Sequence, residues 1–221
     1  DWELGYQYTA PRLSLGVNLY YMKYKDQLVP TGMVNDDSNA LNTNVPDSYR
    51  RGVELSASWR ATGWFTVGAN ATFSQNRIEN YVDALKDSPT YGKELSDMTI
   101  AYSPDVIANA FLNFHHRGFE AVFHTQHVGK QYFTNNENDA LSLDAYCVTN
   151  LNLAYTFCTR SARSVRLGLL INNLFNAEYE SNGYGYSYMD TWSGPAPVRI
   201  DEAYYFPQAP LNVLANVTVK F

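Results

Sequence analysis

Val53-Glu54-Leu55-Ser56-Ala57-Ser58-Trp59-Arg60-Ala61-Thr62-Gly63-Trp64-Phe65-Thr66-Val67-Gly68-Ala69-Asn70-Ala71-Thr72-Phe73 is the stretch that decides how this chain is read. Before the break at Arg60–Gly63, Val53, Leu55, Ala57 and Trp59 occupy every second position. After it, Phe65, Val67, Ala69, Ala71 and Phe73 do the same, and the intervening residues are Gly, Ser, Thr, Asn and Glu. A period of two puts each row on one face of a strand, so the stretch predicts two long strands joined by a tight turn. Trp59 and Trp64 flank that turn.

The same alternation runs outward in both directions. Leu4, Tyr6 and Tyr8 form one row, and Leu13, Leu15, Val17, Leu19 and Tyr21 the next. Downstream come Val106, Ala108, Ala110, Leu112 and Phe114, then Phe119, Ala121 and Phe123, then Thr149, Leu151, Leu153, Tyr155 and Phe157. Val165, Leu167, Leu169 and Ile171 follow, and Val213, Ala215, Val217, Val219 and Phe221 close the chain. We count about nine strands, and no window keeps a helical period.

The connections alternate in length. Ala10–Arg12, Arg60–Gly63, His116–Gly118 and Cys158–Ser164 are short, whereas Asp26–Asp47, Glu79–Asp105, Gln131–Asp144 and Asn176–Tyr204 are long. In an up-and-down sheet this sorts every short turn to one end and every long loop to the other, the polarity of an outer-membrane barrel. The rings support it. Trp59, Trp64, Phe114, Phe119, Tyr155 and Phe157 all fall beside short turns, where an aromatic girdle meets the membrane interface, and Tyr21 and Phe73 fall at the opposite boundary. Glu3, Gln7, Asn18, Glu54, Asn70, Asn109, Asn113, Glu120, His124 and Gln126 lie on the alternate rows and are expected in a hydrated or plug-filled lumen. A soluble antiparallel sheet with one wet face would alternate equally well but would not sort its loops.

Composition fits a strand-spanning protein. Aromatic residues are 15% of the 221, with Tyr 18 outnumbering Phe 11 and Trp 4, and charged residues are only 17%. No run approaches the roughly 20 apolar residues of a membrane helix, whereas a spanning strand needs only about 9 to 11. The net charge of -6 and the lack of a basic cluster exclude nucleic acid as a partner. Cys147 and Cys158, near the two ends of one strand, would stand about 35 Å apart, too far for a disulfide. No nucleophile-elbow motif appears, so no enzyme activity is expected.

Three stretches carry a family resemblance. Ile171-Asn172-Asn173-Leu174-Phe175-Asn176-Ala177-Glu178-Tyr179 resembles the segment that leaves the penultimate strand of TonB-dependent outer-membrane receptors. Tyr205-Phe206-Pro207-Gln208-Ala209-Pro210-Leu211-Asn212 is similar to the approach to their last strand, although Leu211 stands where many members carry Arg. Phe221 is similar to the terminal aromatic read by the barrel-assembly machinery. Tyr49–Ser74 and Pro104–Phe133 resemble earlier strands, so the likeness covers the chain. It implies that residues 1–221 are the C-terminal portion of an all-β, antiparallel, up-and-down transmembrane barrel of about 22 strands. The N-terminal plug and the earlier strands are not in this sequence. Nine strands are an odd number, so both edges are expected to pair with strands outside this segment.

The resemblance implies active, TonB-dependent import of a scarce ligand, such as a ferric siderophore, haem, cobalamin or a glycan. A passive porin or structural barrel is the alternative. Implied partners are the TonB energy-coupling complex, reached through the plug region, the barrel-assembly machinery, outer-membrane lipid and the rest of the receptor, with a surface lipoprotein as a further candidate. No cofactor is implied.

Candidate ligand residues come from the long connections. Tyr184, Tyr186, Tyr188 and Trp192, separated by small residues, could stack on an aromatic chelator, a porphyrin or a sugar face; equally, they could pack the loop or continue the strand. Tyr81, Tyr91 and Tyr132 are weaker candidates. Asp36-Asp37 and Asn135–Asp139 are oxygen-rich but lack EF-hand spacing, and solvated loops are the expectation. His124 and His127 should point to opposite faces, with His115 and His116 at the far end of the sheet, so no metal site is expected.

Overall fold

A computed structural model describes residues 1–34, 39–83 and 90–221; Asp36 and Asp37 lie outside the described residues. The strands are β1 (Trp2–Ala10), β2 (Leu13–Val34), β3 (Ala40–Arg60), β4 (Phe65–Val82), β5 (Glu94–Thr99), β6 (Val106–His116) and β7 (Phe119–Val128). They continue with β8 (Gln131–Tyr132), β9 (Ser142–Leu143), β10 (Tyr146–Phe157), β11 (Ser164–Asn172), β12 (Glu180–Asp190), β13 (Val198–Pro207) and β14 (Asn212–Lys220). One 3-10 turn, Asp139–Leu141, is the only helical element among the described residues.

Nine of these strands form one wall in the order β1-β2-β3-β4-β6-β7-β10-β11-β14, antiparallel throughout, with β5 added on β4. Every neighbour on that path is the next spanning strand in the chain, so the topology is up-and-down. The nine correspond to the nine apolar rows. The sheet is open, because β1 and β14 are its two ends and do not pair with each other.

Register converts the sequence rows into two faces. Leu13, Trp59, Val67, Leu112, Phe123, Leu151, Ile171 and Val213 lie side by side across eight strands. Gln7, Gly16, Ser56, Asn70, Asn109 and Gln126 form a row on the other face. There the Asn109 amide donates to Asn70 Oδ1 at 3.2 Å, the Asn18 amide donates to Glu54 at 3.2 Å, and Arg166 grips Glu120 with bonds of 2.9 and 2.7 Å. No second sheet or helix layer covers the apolar face among the described residues. Leu15, Leu19, Leu55, Leu112 and Leu167 are exposed, and Val217 retains 66% of its surface. An apolar face of this extent marks contact with something other than water.

The short turns are built for abrupt reversal. At His116–Phe119 both central residues, Arg117 (φ 47) and Gly118 (φ 83), have positive φ, as a type I′ turn requires. A Cβ on Gly118 would also come within 2.3 Å of the Thr156 carbonyl oxygen.

At the other end the structure corrects the expected loops. Among the described residues much of Asp26–Asp47 and part of Glu79–Asp105 is strand: β2 and β3 run on for 22 and 21 residues, and β4, to Val82, is joined by the added strand β5. At about 3.3 Å per residue such strands reach roughly 70 Å, over twice the bilayer's hydrocarbon thickness, so their outer halves stand clear of lipid. Asp26 takes φ 53, and beyond it the pleat changes sides: Ser48 Oγ donates to Gln27 Oε1 at 2.6 Å, and Val29 and Val45 turn inward onto Ile78. Asn176–Tyr204 is likewise a regular hairpin, β12–β13, over most of its length.

Candidate functional site

The long-connection end forms a layer with two dry cores. Val29, Val45, Ile78, Tyr81 and Ile100 make one, and Phe133, Leu141 and Leu143, with Ala203 against them, make the other. Between the cores sits Asn135, fully buried, whose Oδ1 accepts the Ala101 N–H at 2.8 Å and whose amide donates to the Pro30 carbonyl at 2.5 Å. One side chain thus ties three connections together. Glu137 accepts from the backbone N–H of Thr99 at 3.1 Å and from its hydroxyl. Asn138 caps the 3-10 turn by accepting from Ala140 N–H at 3.0 Å, and Asp139 pairs with Lys130. Asn135 and Glu137 are therefore a clasp between loops, which corrects their reading as part of a solvated loop, whereas the Asp139 side chain is solvent-exposed.

The β12–β13 hairpin lies over this layer. Its inner face carries Gly183, Gly185, Ser187 and Ala203, and at the two glycines a larger group would not fit. A Cβ on Gly185 would come within 2.8 Å of Leu141 and 2.9 Å of the Glu202 carbonyl oxygen. Arg199, on the same face, donates to Asp201 at 3.0 Å and Ser187 at 3.2 Å and lies 3.8 Å from the buried Asp83, tying the hairpin to the end of β4. Burial would raise the Asp201 carboxyl, but hydrogen bonds from Ser187, Asn138 and Arg199 outweigh it and leave Asp201 below its ordinary range.

Alternation along β12 and β13 then puts Tyr184, Tyr186, Tyr188, Tyr204 and Phe206 together on the opposite face, around Glu202. Tyr184 stacks on Tyr204 with ring centroids 5.0 Å apart, and Tyr186 on Tyr204 at 6.2 Å. Tyr186 and Tyr204 donate to Glu202 Oε2 at 2.8 and 2.9 Å, and Tyr188 donates to Oε1 at 3.0 Å. These donors hold the Glu202 carboxyl below the usual carboxylate range, and the bonds to Glu202 and Tyr204 in turn push the Tyr186 phenol well above its own.

The other expected site residues scatter. Trp192 stands at the hairpin tip, 87% exposed, and does not join the tyrosine face. Tyr132 lies under Lys130 Nζ, 5.0 Å from its ring centroid. Tyr81 is a correction: it is buried in the first core, donates to the Thr31 carbonyl at 3.4 Å, and has its phenol pushed up to about 12 by burial and by Asp83, so no ligand reaches it. Tyr91 is exposed, apart from the hairpin. β7 keeps its register through Val128, so His124 and His127 point to opposite faces. Among the described residues no group of three or more His, Cys, Asp or Glu is placed to hold a metal. Cys147 and Cys158, at the two ends of β10, are free thiols.

At the short-turn edge Trp64 and Phe114 meet edge-on at 5.1 Å, Phe114 and Phe119 at 5.9 Å, and Tyr155 stacks with Phe157 at 5.9 Å, with Trp59 exposed on the same face. Phe221 follows β14, 92% exposed. At the exit of β11, Asn173 (φ 51) accepts the Ala177 N–H at 2.8 Å and donates to the Ala177 and Ala209 carbonyls, while Asn176 (φ 53) accepts the Leu211 N–H at 2.9 Å. Asn tolerates positive φ and can bond the backbone there, so this motif fastens β11 to the start of β14.

Residues 1–174 match the family described as TonB-dependent receptor-like β-barrel. The chain belongs to that family. As a TonB-dependent receptor barrel it lies in the outer membrane of a Gram-negative cell, in a family of transporters and not of enzymes. Solved structures share the fold. The ferric yersiniabactin uptake receptor FyuA of Yersinia pestis is 19% identical with a TM-score of 0.66, over 99% of this chain and 29% of its own. The ferric preacinetobactin receptor BauA of Acinetobacter baumannii is 14% identical with a TM-score of 0.67, over 99% and 29%. The copper transporter OprC is 20% identical with a TM-score of 0.65, over 97% and 31%. The TonB-dependent receptor segment described here thus spans under a third of those structures. No curated protein sequence matches it.

The hairpin was the part least visible in the sequence. Nothing local marks Glu202 or Tyr204, yet Asn182-Gly183-Tyr184-Gly185-Tyr186-Ser187-Tyr188 alternates as strictly as the wall does, a signal that identifies β12 as a strand with a tyrosine face.

Proposed function

We propose that residues 1–221 are the C-terminal part of the barrel of an active, TonB-dependent importer, completed by an N-terminal plug and earlier strands that pair with the open edges of β1 and β14. Its cargo is a scarce ligand of the siderophore, haem, cobalamin, copper or glycan kind. The observation that carries this reading is the combination of an apolar face left open along the whole wall with an aromatic hairpin folded over its long-connection end. The names of FyuA and BauA, both ferric siderophore receptors, favour iron uptake.

In this reading Tyr184, Tyr186 and Tyr188 meet the ligand, and Trp192 and Tyr132 make outer contacts. Trp59, Trp64, Phe114, Phe119, Tyr155 and Phe157 form the periplasmic girdle against outer-membrane lipid. Phe221 is read by the barrel-assembly machinery, the plug connects to TonB, and a surface lipoprotein is a candidate cap. Growth of a deletion strain on defined iron, haem, cobalamin, copper and glycan sources tests the reading. Failure on one source, reproduced by deleting TonB, names the cargo; normal growth on all of them overturns it.

A further inference from the structure

The open face of the β12–β13 hairpin has a negative centre and, among the described residues, no cation paired with it. Glu202 accepts from Tyr186, Tyr188 and Tyr204, which occupies three of the roughly four acceptor positions of a carboxylate. The same bonds use up the single hydrogen each phenol can donate. What these side chains present outward is therefore oxygen lone pairs and ring faces, and the ring quadrupole is negative on its face. Among the described residues no Lys or Arg pairs with Glu202. The cation of the hairpin, Arg199, lies on the other face with Asp201, Ser187 and Asp83. Tyr184, Tyr188, Tyr204 and Phe206 remain exposed, so the face is open to a ligand.

A carboxylate ringed by aromatic faces suits a weakly hydrated organic cation. Ring and charge attract it together, and its methyl or methylene groups fit between the phenols. A polyanionic chelate would meet repulsion there, and the three phenols bonded to Glu202 have no hydrogen left to donate to it.

Resting on the import reading above, we infer that this face receives a positively charged organic group of the ligand, an ammonium or quaternary ammonium, and discriminates against polyanions. Charge selection at Glu202 is a property of the hairpin and can be tested without knowing the cargo. Choline, 3,3-dimethylbutan-1-ol and 3,3-dimethylbutanoate share one shape and carry charges of plus one, zero and minus one. Each is titrated into the purified full-length receptor in nanodiscs, and binding is read from saturation transfer to the probe's methyl protons.

The expected order is choline first, by about tenfold over the alcohol, with the carboxylate weakest. Glu202→Gln, whose amide oxygen can still accept the Tyr186 and Tyr204 hydrogens while its NH2 faces Tyr188, should bring choline down to the alcohol, and Tyr188→Leu, at the open end of the ladder, should weaken both. Equal binding of the three probes, or a choline preference that survives Glu202→Gln, would overturn the inference. Failure of the import reading is seen separately, as unchanged growth across the nutrient panel.

Discussion

Leu15, Leu55, Leu112 and Leu167 in the wall stand exposed, while Val29, Ile78, Phe133 and Leu141 in the loop layer are shut away from solvent. These are the same kinds of side chain in one chain, with opposite fates. In the layer, apolar groups leave water by packing on one another, and the polar groups trapped with them, such as Asn135 and Ser48, are each bonded. In the wall the apolar row has no second layer of the chain packed over it, and the strands are joined by their ladder, by ring contacts at the short-turn edge and by polar bonds on the other face. The difference shows that the two regions answer to two solvents. Lipid does for the wall what the dry cores do for the layer.

Substituting charge into the apolar row separates the two regions most sharply. Leu153→Arg should cost about 2 to 4 kcal/mol near the membrane centre, measured by reversible urea unfolding of the full receptor in phospholipid vesicles. Asn152→Arg, one residue away on the lumen row, should cost much less. Equal costs would remove the distinction between the faces.

A smaller, local effect is expected in the layer. Asn135→Ala leaves the Ala101 N–H and the Pro30 carbonyl without their partner, a loss of about 1 to 3 kcal/mol. Hydrogen exchange should speed up around Ala101 and Phe133 while the amides of β10 and β11 stay protected. If the wall loosened as well, the layer would not be an independent unit.

The smallest effect is on pH. Glu202 and Asp201 both have lowered carboxyl pKa values in the folded hairpin. Their contribution is therefore fully present above the unfolded carboxylate range, about 4, and is lost only as the pH falls through the lower folded values. Near-ultraviolet circular dichroism of the tyrosines should stay constant from pH 7 to about 5 and change only below about 4; a change near pH 6 would point to a different titrating group.

The legibility of the sequence follows the same division. The wall could be read because lipid on one side and a wet interior on the other enforce a strict period of two, so all nine spanning strands fall where Leu13 to Tyr21, Val53 to Phe73 and the later rows put them. Above the membrane that constraint lapses. β2 continues through Asp26, Pro30 and Thr31, which read as loop formers, and Tyr81 reads as a surface ring although Val29, Val45, Ile78 and Ile100 bury it. Asn135 stands out only as one of the oxygen-rich residues 135–139 and its tying role does not, because a clasp joining residues 30, 101 and 135 leaves no local pattern. The tyrosine row did leave one, but its partner Glu202 comes from the other strand of the hairpin and only register brings them together.

Nitroxide scanning of the full receptor in lipid tests the central claim directly. Labels at Val67, Leu153 and Val217 should collide more with oxygen than with a water-soluble nickel chelate, and labels at Gly68, Asn152 and Asn216 should show the reverse or be shielded from both. The same collision pattern at neighbouring positions, or nickel preferred at Val67 and Leu153, would contradict a wall with one face in hydrocarbon.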